Sequence, residues 1–125
     1  DYSNAIPYQF TDSLVFIFSN IFGEISAYNI ILFLSFPLSA ITMYFLVHHF
    51  TKNKIVSMIS GLIYSLCPYH YFRIQGHILL SQIELIPLYF LFLFKFNEKK
   101  TIKSAIVWGF TFSLLFLMSY YYGFV

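Results

Sequence analysis

The stretch from Pro68 to His77 gathers the side chains that could do chemistry. It contains Arg73, the only arginine of the chain, together with His70, Gln75 and His77. An arginine guanidinium binds phosphate oxygens through paired hydrogen bonds, so these residues fit an anionic headgroup or a phosphate-bearing substrate. Alternatively, Arg73 and the neighbouring tyrosines only anchor helix ends at a membrane–water interface. The residues alone leave both interpretations open.

Glu84 is an isolated acid in an otherwise apolar run. His77, Ser81 and Glu84 follow at i, i+4 and i+7, which predicts that they share one face of a helix. A carboxylate inside a membrane is costly unless it faces a protein interior or a water-filled cavity, so it indicates a functional site. A structural hydrogen bond or salt bridge, or a glutamate kept protonated by desolvation, would also explain it. A metal site built from His70, His77 and Glu84 is conceivable, although no short ligand spacing supports it.

The composition limits which elements can position these residues. Of the 125 residues, 59% are hydrophobic and only 10% are charged, whereas an ordinary globular domain has about 25% charged residues. A water-soluble domain and a disordered chain are therefore both excluded. The single cysteine, Cys67, cannot form an internal disulfide. The chain has no Gly-rich phosphate loop, no CxxC pair and no basic patch typical of nucleic-acid binding.

Four charge-poor runs are long enough to be membrane-spanning helices. They predict spans at about 25–47, 55–70, 78–95 and 104–125, and Pro68 is expected to end or kink the second. The segment Thr11–Gly23 is too short to span, so we expect a helix along the outer membrane surface, within an outer loop at residues 1–24. The predicted fold is all-α: one membrane domain, an integral helical bundle of four transmembrane helices preceded by an outer interfacial helix.

The lysines predict the orientation of the bundle. All six lie in or beside the loops at residues 51–54 and 95–103, so the positive-inside rule makes these two loops cytoplasmic. The outer loop, residues 68–77 and residues 120–122 then face outward. The chain starts at Asp1 without a methionine and stops at Val125 in an apolar run, so we expect an internal segment of a longer membrane protein. We expect its location to be a bacterial or archaeal cell membrane.

Small residues recur every four positions in the second predicted span, at Ser57, Gly61 and Ser65. Ser35 and Ser39 form a similar face on the first span. Such spacing lets two helices approach closely, so we interpret both faces as packing surfaces without catalytic roles.

The order of these features resembles multi-pass membrane proteins of the GT-C glycosyltransferase type. The resemblance extends over nearly the whole chain and depends on five pieces of sequence: Ala27-Tyr28-Asn29 with Leu34-Ser35-Phe36-Pro37-Leu38-Ser39-Ala40, Gly61-Leu62-Ile63-Tyr64-Ser65 leading into Pro68-Tyr69-His70, Gly76-His77, Pro87-Leu88, and Ser119-Tyr120-Tyr121-Tyr122. It implies an enzyme that takes a sugar from a polyprenyl-phosphate carrier and transfers it to an acceptor on the extracytoplasmic face. Its partners would be the lipid bilayer, the lipid-linked sugar and the rest of its own chain.

The resemblance also implies roles for individual residues. Such enzymes place an acid in the first outer loop as general base or metal ligand, and only Asp1 and Asp12 are available there, so a divalent metal is one possible cofactor. The catalytic candidates are Asp12 and Glu84. The substrate-binding candidates are listed together: Arg73, His70, His77 and Gln75.

Two other classes of protein remain open. A transporter or flippase subunit would use Glu84 and His77 to line a proton or substrate path. A membrane component without chemistry of its own would keep Glu84 for a structural reason.

Overall fold

The structure is a computed structural model that describes residues 10–75 and 81–118, with the backbone alone for residues 10–12. These ranges contain six helices and no strand, so the all-α prediction is confirmed. The helices are α1 Phe10–Phe22, α2 Glu24–Thr51, α3 Lys54–Ser65, α4 Pro68–Ile74, α5 Leu85–Lys99 and α6 Ile102–Met118.

Local sequence explains where several helices begin and end. The Asn53 side chain accepts hydrogen bonds from the backbone N–H groups of Ile55 and Val56, which caps the start of α3. Pro68 is the first residue of α4, where its missing N–H leaves no hydrogen bond unmade. Lys52 and Lys100 end α2 and α5 in left-handed conformations, with φ of 53° and 47°.

Helix α2 is the central helix, because α1, α3 and α5 all pack against it, while α6 packs against α5. The contact of α2 with α3 is made by small residues. Ser57, Gly61 and Ser65 are all buried on α3. A Cβ atom at Gly61 would lie 2.5 Å from the carbonyl oxygen of Ala40 in α2, so only glycine permits this approach. The prediction of a close helix–helix contact is confirmed.

The distribution of polarity is the reverse of that in a water-soluble protein. Among the described residues, six hydrophobic residues are buried, against nine that are polar or charged. The outer surface carries many large apolar side chains, such as Ile25 and Ile102, each 81% exposed. Extended apolar surfaces of this kind are typical of chains that contact lipid or other protein.

Within the described residues, one helix is long and apolar enough to cross a membrane, and this is α2. Its 28 residues correspond to about 42 Å of helix, against about 30 Å for the hydrocarbon core of a bilayer. The described parts of α3, α5 and α6 have 12, 15 and 17 residues.

The second and third predicted spans are not continuous helices. The second is broken between Ser65 and Pro68, as expected from the proline. In the third, residues 82–84 lie outside any helix and α5 begins at Leu85. The prediction that Ser81 and Glu84 share a continuous helix face is therefore wrong. Pro87, the third residue of α5, explains this start, because proline fits the first turn of a helix but not its interior.

The two lysine-bearing connections lie at the same end of the bundle. His49 Nε2, near the end of α2, lies 2.9 Å from Glu98 Oε1, near the end of α5. The rings of Phe50 and Phe94 also meet there, with centroids 4.9 Å apart. We call this the lysine end. The opposite end contains α4 and the segment Ser81–Glu84, and we call this segment the polar turn.

Candidate functional site

The polar turn is buried although most of its residues are polar. Ser81, Gln82, Ile83 and Glu84 are each at most 5% exposed. The turn is closed by a hydrogen bond of 2.9 Å from the Ile83 backbone N–H to the Ser81 carbonyl oxygen. The Tyr64 hydroxyl of α3 donates to the Ile83 carbonyl oxygen at 3.0 Å, which holds the turn against the end of α3.

Two polar atoms of this turn are buried without a hydrogen-bond partner among the described residues. They are Glu84 Oε2, an acceptor when ionised, and Gln82 Nε2, a donor. Burying such groups unpaired costs free energy, because each has lost its water without gaining a protein partner. A ligand hydroxyl could serve both kinds of group, because it donates one hydrogen bond and accepts others. The turn therefore holds one unpaired donor and one unpaired acceptor inside the described part of the bundle.

Glu84 also lies immediately before the first residue of α5. The N-terminus of a helix carries a partial positive charge from the aligned peptide dipoles. This charge interacts favourably with a carboxylate and offsets part of the cost of its burial. The polar turn thus keeps an acid where a lone carboxylate in an apolar run would otherwise be strongly disfavoured.

His70 connects three helices at the same end of the bundle. It is fully buried. Its Nδ1 lies 2.7 Å from the Ser65 carbonyl oxygen at the end of α3, and its Nε2 lies 2.9 Å from Ser35 Oγ in α2. Its ring also packs against Phe36, with centroids 4.4 Å apart. Both ring nitrogens are occupied by protein groups, so His70 fixes α4 against α2 and α3.

The hydrogen bonds of His70 determine which nitrogen carries the proton. A carbonyl oxygen only accepts, so Nδ1 donates to Ser65. In a neutral imidazole Nε2 must then accept the hydroxyl proton of Ser35. That hydroxyl also lies 2.7 Å from the Leu32 carbonyl oxygen in its own helix, and one proton cannot serve both acceptors fully. With a neutral ring the Ser35 proton is therefore shared between His70 Nε2 and the Leu32 carbonyl oxygen.

Arg73 and Gln75 lie near the end of the short helix α4. The Arg73 guanidinium carbon is 5.2 Å from the centroid of the Tyr69 ring, a cation–π contact one helical turn away. Arg73 forms no ion pair with any described acid, since the salt bridge found in these ranges joins His49 and Glu98. Gln75 is exposed. Neither side chain is tied to an acid of the described chain, so both remain candidates for ligand contact.

Three of the predicted site residues have side chains that the structure does not describe. His77 falls in residues 76–80, Asp1 falls in residues 1–9, and Asp12 belongs to α1 but only its backbone is described. Across residues 10–75 and 81–118, no three His, Cys, Asp or Glu side chains are grouped so as to hold a metal ion. Of the predicted site residues, Arg73, His70 and Glu84 thus lie at the same end of the bundle.

Sequence reasoning missed Gln82, Tyr64 and the environment of the paired histidines. Gln82 is a polar amide two positions from Glu84 in an apolar run, and that proximity was an available signal. Tyr64 gave no signal, because its bond to Ile83 depends on the fold. His48 and His49 are both only partly exposed, and His48 Nδ1 is buried without a partner among the described residues.

Compared with known proteins, the chain matches no family model, no curated protein and no solved structure.

Proposed function

We propose that the protein is an integral membrane glycosyltransferase of the GT-C type, in which the end containing the polar turn transfers a sugar from a polyprenyl-phosphate donor. The chain would cross the membrane four times, at about residues 25–47, 55–70, 78–95 and 104–125. Helix α1 would lie on the outer surface and the lysine end would face the cytoplasm. The apolar outer surface and the length of α2 support the membrane location.

One observation carries the transferase proposal. Gln82 and Glu84 are 3% and 5% exposed, and each has a buried polar atom without a partner in the described chain. A sugar is a dense array of hydroxyl groups that donate and accept hydrogen bonds, so it is the ligand chemistry that satisfies both atoms. The placement opposite the lysine end agrees with a donor held on the extracytoplasmic face.

The proposal gives distinct roles to the residues of this end. Glu84 acts as general base toward the acceptor, with Asp12 as the other catalytic candidate. Arg73 binds the phosphate of the lipid-linked donor by paired hydrogen bonds, because Arg73 has no acid partner in the described chain. Gln75 and His77 complete the substrate-binding set. His70 holds α4, and therefore Arg73, in position through its bonds to Ser65 and Ser35.

The test compares two glutamates in the full-length protein. Glu84→Gln keeps the shape of the side chain but removes a base, so donor-dependent sugar transfer should fall by about a hundredfold or more. Glu98→Gln is the matched control, because Glu98 lies at the lysine end and is exposed. Its activity should stay within about twofold of the wild type, in keeping with the small value of surface ion pairs. Equal activity of Glu84→Gln and wild type would remove Glu84 from the site.

A transporter or flippase subunit is the second candidate, and Glu84 Oε2, buried without a partner among the described residues, also favours it. Ionisable groups within membrane segments commonly mark proton or substrate paths. The full-length protein reconstituted in liposomes would then show substrate or proton flux without sugar transfer. Flux that is lost in Glu84→Gln, together with no transfer by the wild type, would replace the enzyme proposal with this one.

A further inference from the structure

A second polar site lies at the lysine end, between α2 and α5. It is a cavity of about 540 Å³. Its polar lining comes from the end of α2 and from the last part of α5. These residues are His48, His49, Lys52 and Lys95.

The charge of this lining is one-sided. Lys52 and Lys95 belong to different connections of the chain, and the fold brings both to one cavity. None of the lining residues is acidic, and Glu98, the acid of this end, already contacts His49 at 2.9 Å. The cavity is therefore suited to an anion.

The walls of the cavity are apolar. Phe45, Leu88, Leu91 and Phe92 complete its lining. Phe45 also lines an entirely different groove of about 320 Å³ on the face between α2 and α3, where its neighbours include Met58 and other apolar residues. Phe45 thus borders both the basic cavity and an apolar groove on the side of the bundle. A basic cavity next to an apolar groove matches a molecule with a phosphate headgroup and a hydrocarbon chain.

We propose that this cavity binds an anionic phospholipid, with its phosphate between Lys52 and Lys95 and an acyl chain along Phe45. Basic pockets between membrane helices on the cytoplasmic side are suited to anionic headgroups. Positive charge that only sets topology has no need to converge on a cavity, whereas these two lysines do. The proposal rests on the membrane location given above and is independent of the transfer chemistry at the other end.

The two lysines with left-handed backbone conformations provide a matched pair of variants. Lys52 and Lys100 each end a helix with positive φ, but only Lys52 lines the cavity. Glycine adopts this conformation without strain, so Lys52→Gly and Lys100→Gly both remove one charge without penalising the backbone. Lys95→Gln, which keeps most of the side-chain length, tests the other side of the cavity.

The measurement is native mass spectrometry of the full-length protein in detergent, titrated separately with phosphatidylglycerol and phosphatidylcholine. The wild type should bind phosphatidylglycerol in preference to phosphatidylcholine. Lys52→Gly and Lys95→Gln should each weaken phosphatidylglycerol binding by about fivefold, as expected for one basic residue near an anionic headgroup. Lys100→Gly should bind as the wild type does.

Three outcomes would overturn the lipid site. These are equal binding of the two lipids, equal loss in Lys52→Gly and Lys100→Gly, and displacement of the lipid by millimolar inorganic phosphate, which would identify a free-phosphate site instead. Failure of the membrane location itself would be recognised separately, because the protein would be recovered in the soluble fraction before any detergent is added. Loss of sugar transfer with phosphatidylglycerol binding retained would contradict only the enzyme proposal.

Discussion

The two ends of the bundle hold their polar groups in opposite ways. At the lysine end the charges lie at the surface, as at Lys54, Lys99 and Lys103, and the His49–Glu98 contact involves a carboxylate side chain that is 56% exposed. At the other end His70 and Glu84 are enclosed by protein. One end therefore keeps its charges in a polar environment, and the other keeps polar groups where water has been excluded.

This difference indicates which end of the bundle is the better candidate for a functional site. An exposed ion pair contributes about 0–1 kcal/mol, so the surface charges of the lysine end cost little. A buried polar group without a partner costs about 1–3 kcal/mol. Such a cost is accepted where a ligand or a reaction uses the group. The lysine end has such an atom at His48 Nδ1, but the polar turn has two within three residues and one belongs to a carboxylate, which is why it is the better site candidate.

The largest expected effect is in the labelling of single cysteines, which tests how the two ends are oriented across the membrane. A cysteine either reacts with an impermeant reagent on intact cells or it does not. In a Cys67→Ser background, a cysteine replacing Gln75 should react with a membrane-impermeant maleimide on intact cells. A cysteine replacing Asn97 should react only after permeabilisation, since it lies at the lysine end. Both positions are exposed in the structure, so access within the protein is matched. Reversed labelling would show that the lysine end faces outward.

Replacing one histidine at each end tests the difference in burial. His70→Ala should lower the free energy of unfolding by about 3 kcal/mol, because it leaves a cavity and an unpaired Ser65 carbonyl. His49→Ala should cost less, because its partner Glu98 is 56% exposed and can be solvated by water when the contact is lost. Denaturant unfolding followed by circular dichroism measures both variants. Equal losses would mean that the two histidines are equally structural.

The packing of α3 against α2, the helices that connect the two ends, depends on Gly61. Gly61→Ala should lower the free energy of unfolding by about 2 kcal/mol, because its Cβ would meet the Ala40 carbonyl oxygen and push α3 away from α2. Gly109→Ala is the control, since a Cβ there meets nothing within 4 Å. It should be neutral or stabilising by up to about 1 kcal/mol, given the better helix propensity of alanine. Thermal unfolding in the same detergent compares the two, and equal destabilisation would contradict the close approach.

Arg73 gives the smallest of the expected changes. Arg73→Ala should reduce donor-dependent transfer by about tenfold, the value of one charge-assisted hydrogen bond, while expression and membrane insertion stay intact. Arg73→Lys should recover part of this loss, because it keeps the charge but not the paired geometry. Initial rates at varied donor concentration measure the effect, which should appear mainly in KM. Unchanged transfer would leave Arg73 with the role of an interfacial anchor.

Much of the fold follows from local patterns, but the site does not. The break before Pro68 and the small-residue face at Gly61 were predictable, because each depends on residues within a few turns. The start of α5 was not predicted. The spacing of Ser81 and Glu84 favours a continuous helix, whereas Pro87 favours a helix that begins within the preceding turn. Gln82 was missed although it lies two positions before Glu84, because its polarity alone does not show whether the amide is buried or exposed. Its importance appears only once the turn is seen to be buried.

The sequence by itself determined that the protein is helical, that its surface must be apolar and that the two lysine-bearing loops lie at one end. These properties depend on composition and on spacing along the chain. Only the tertiary structure decided that His70 joins three helices, that Gln82 and Glu84 each bury an atom unpaired among the described residues, and that Lys52 and Lys95 border one cavity. The physical reason is that burial and pairing depend on which distant segments pack together, and the pattern of one helix does not specify its neighbours.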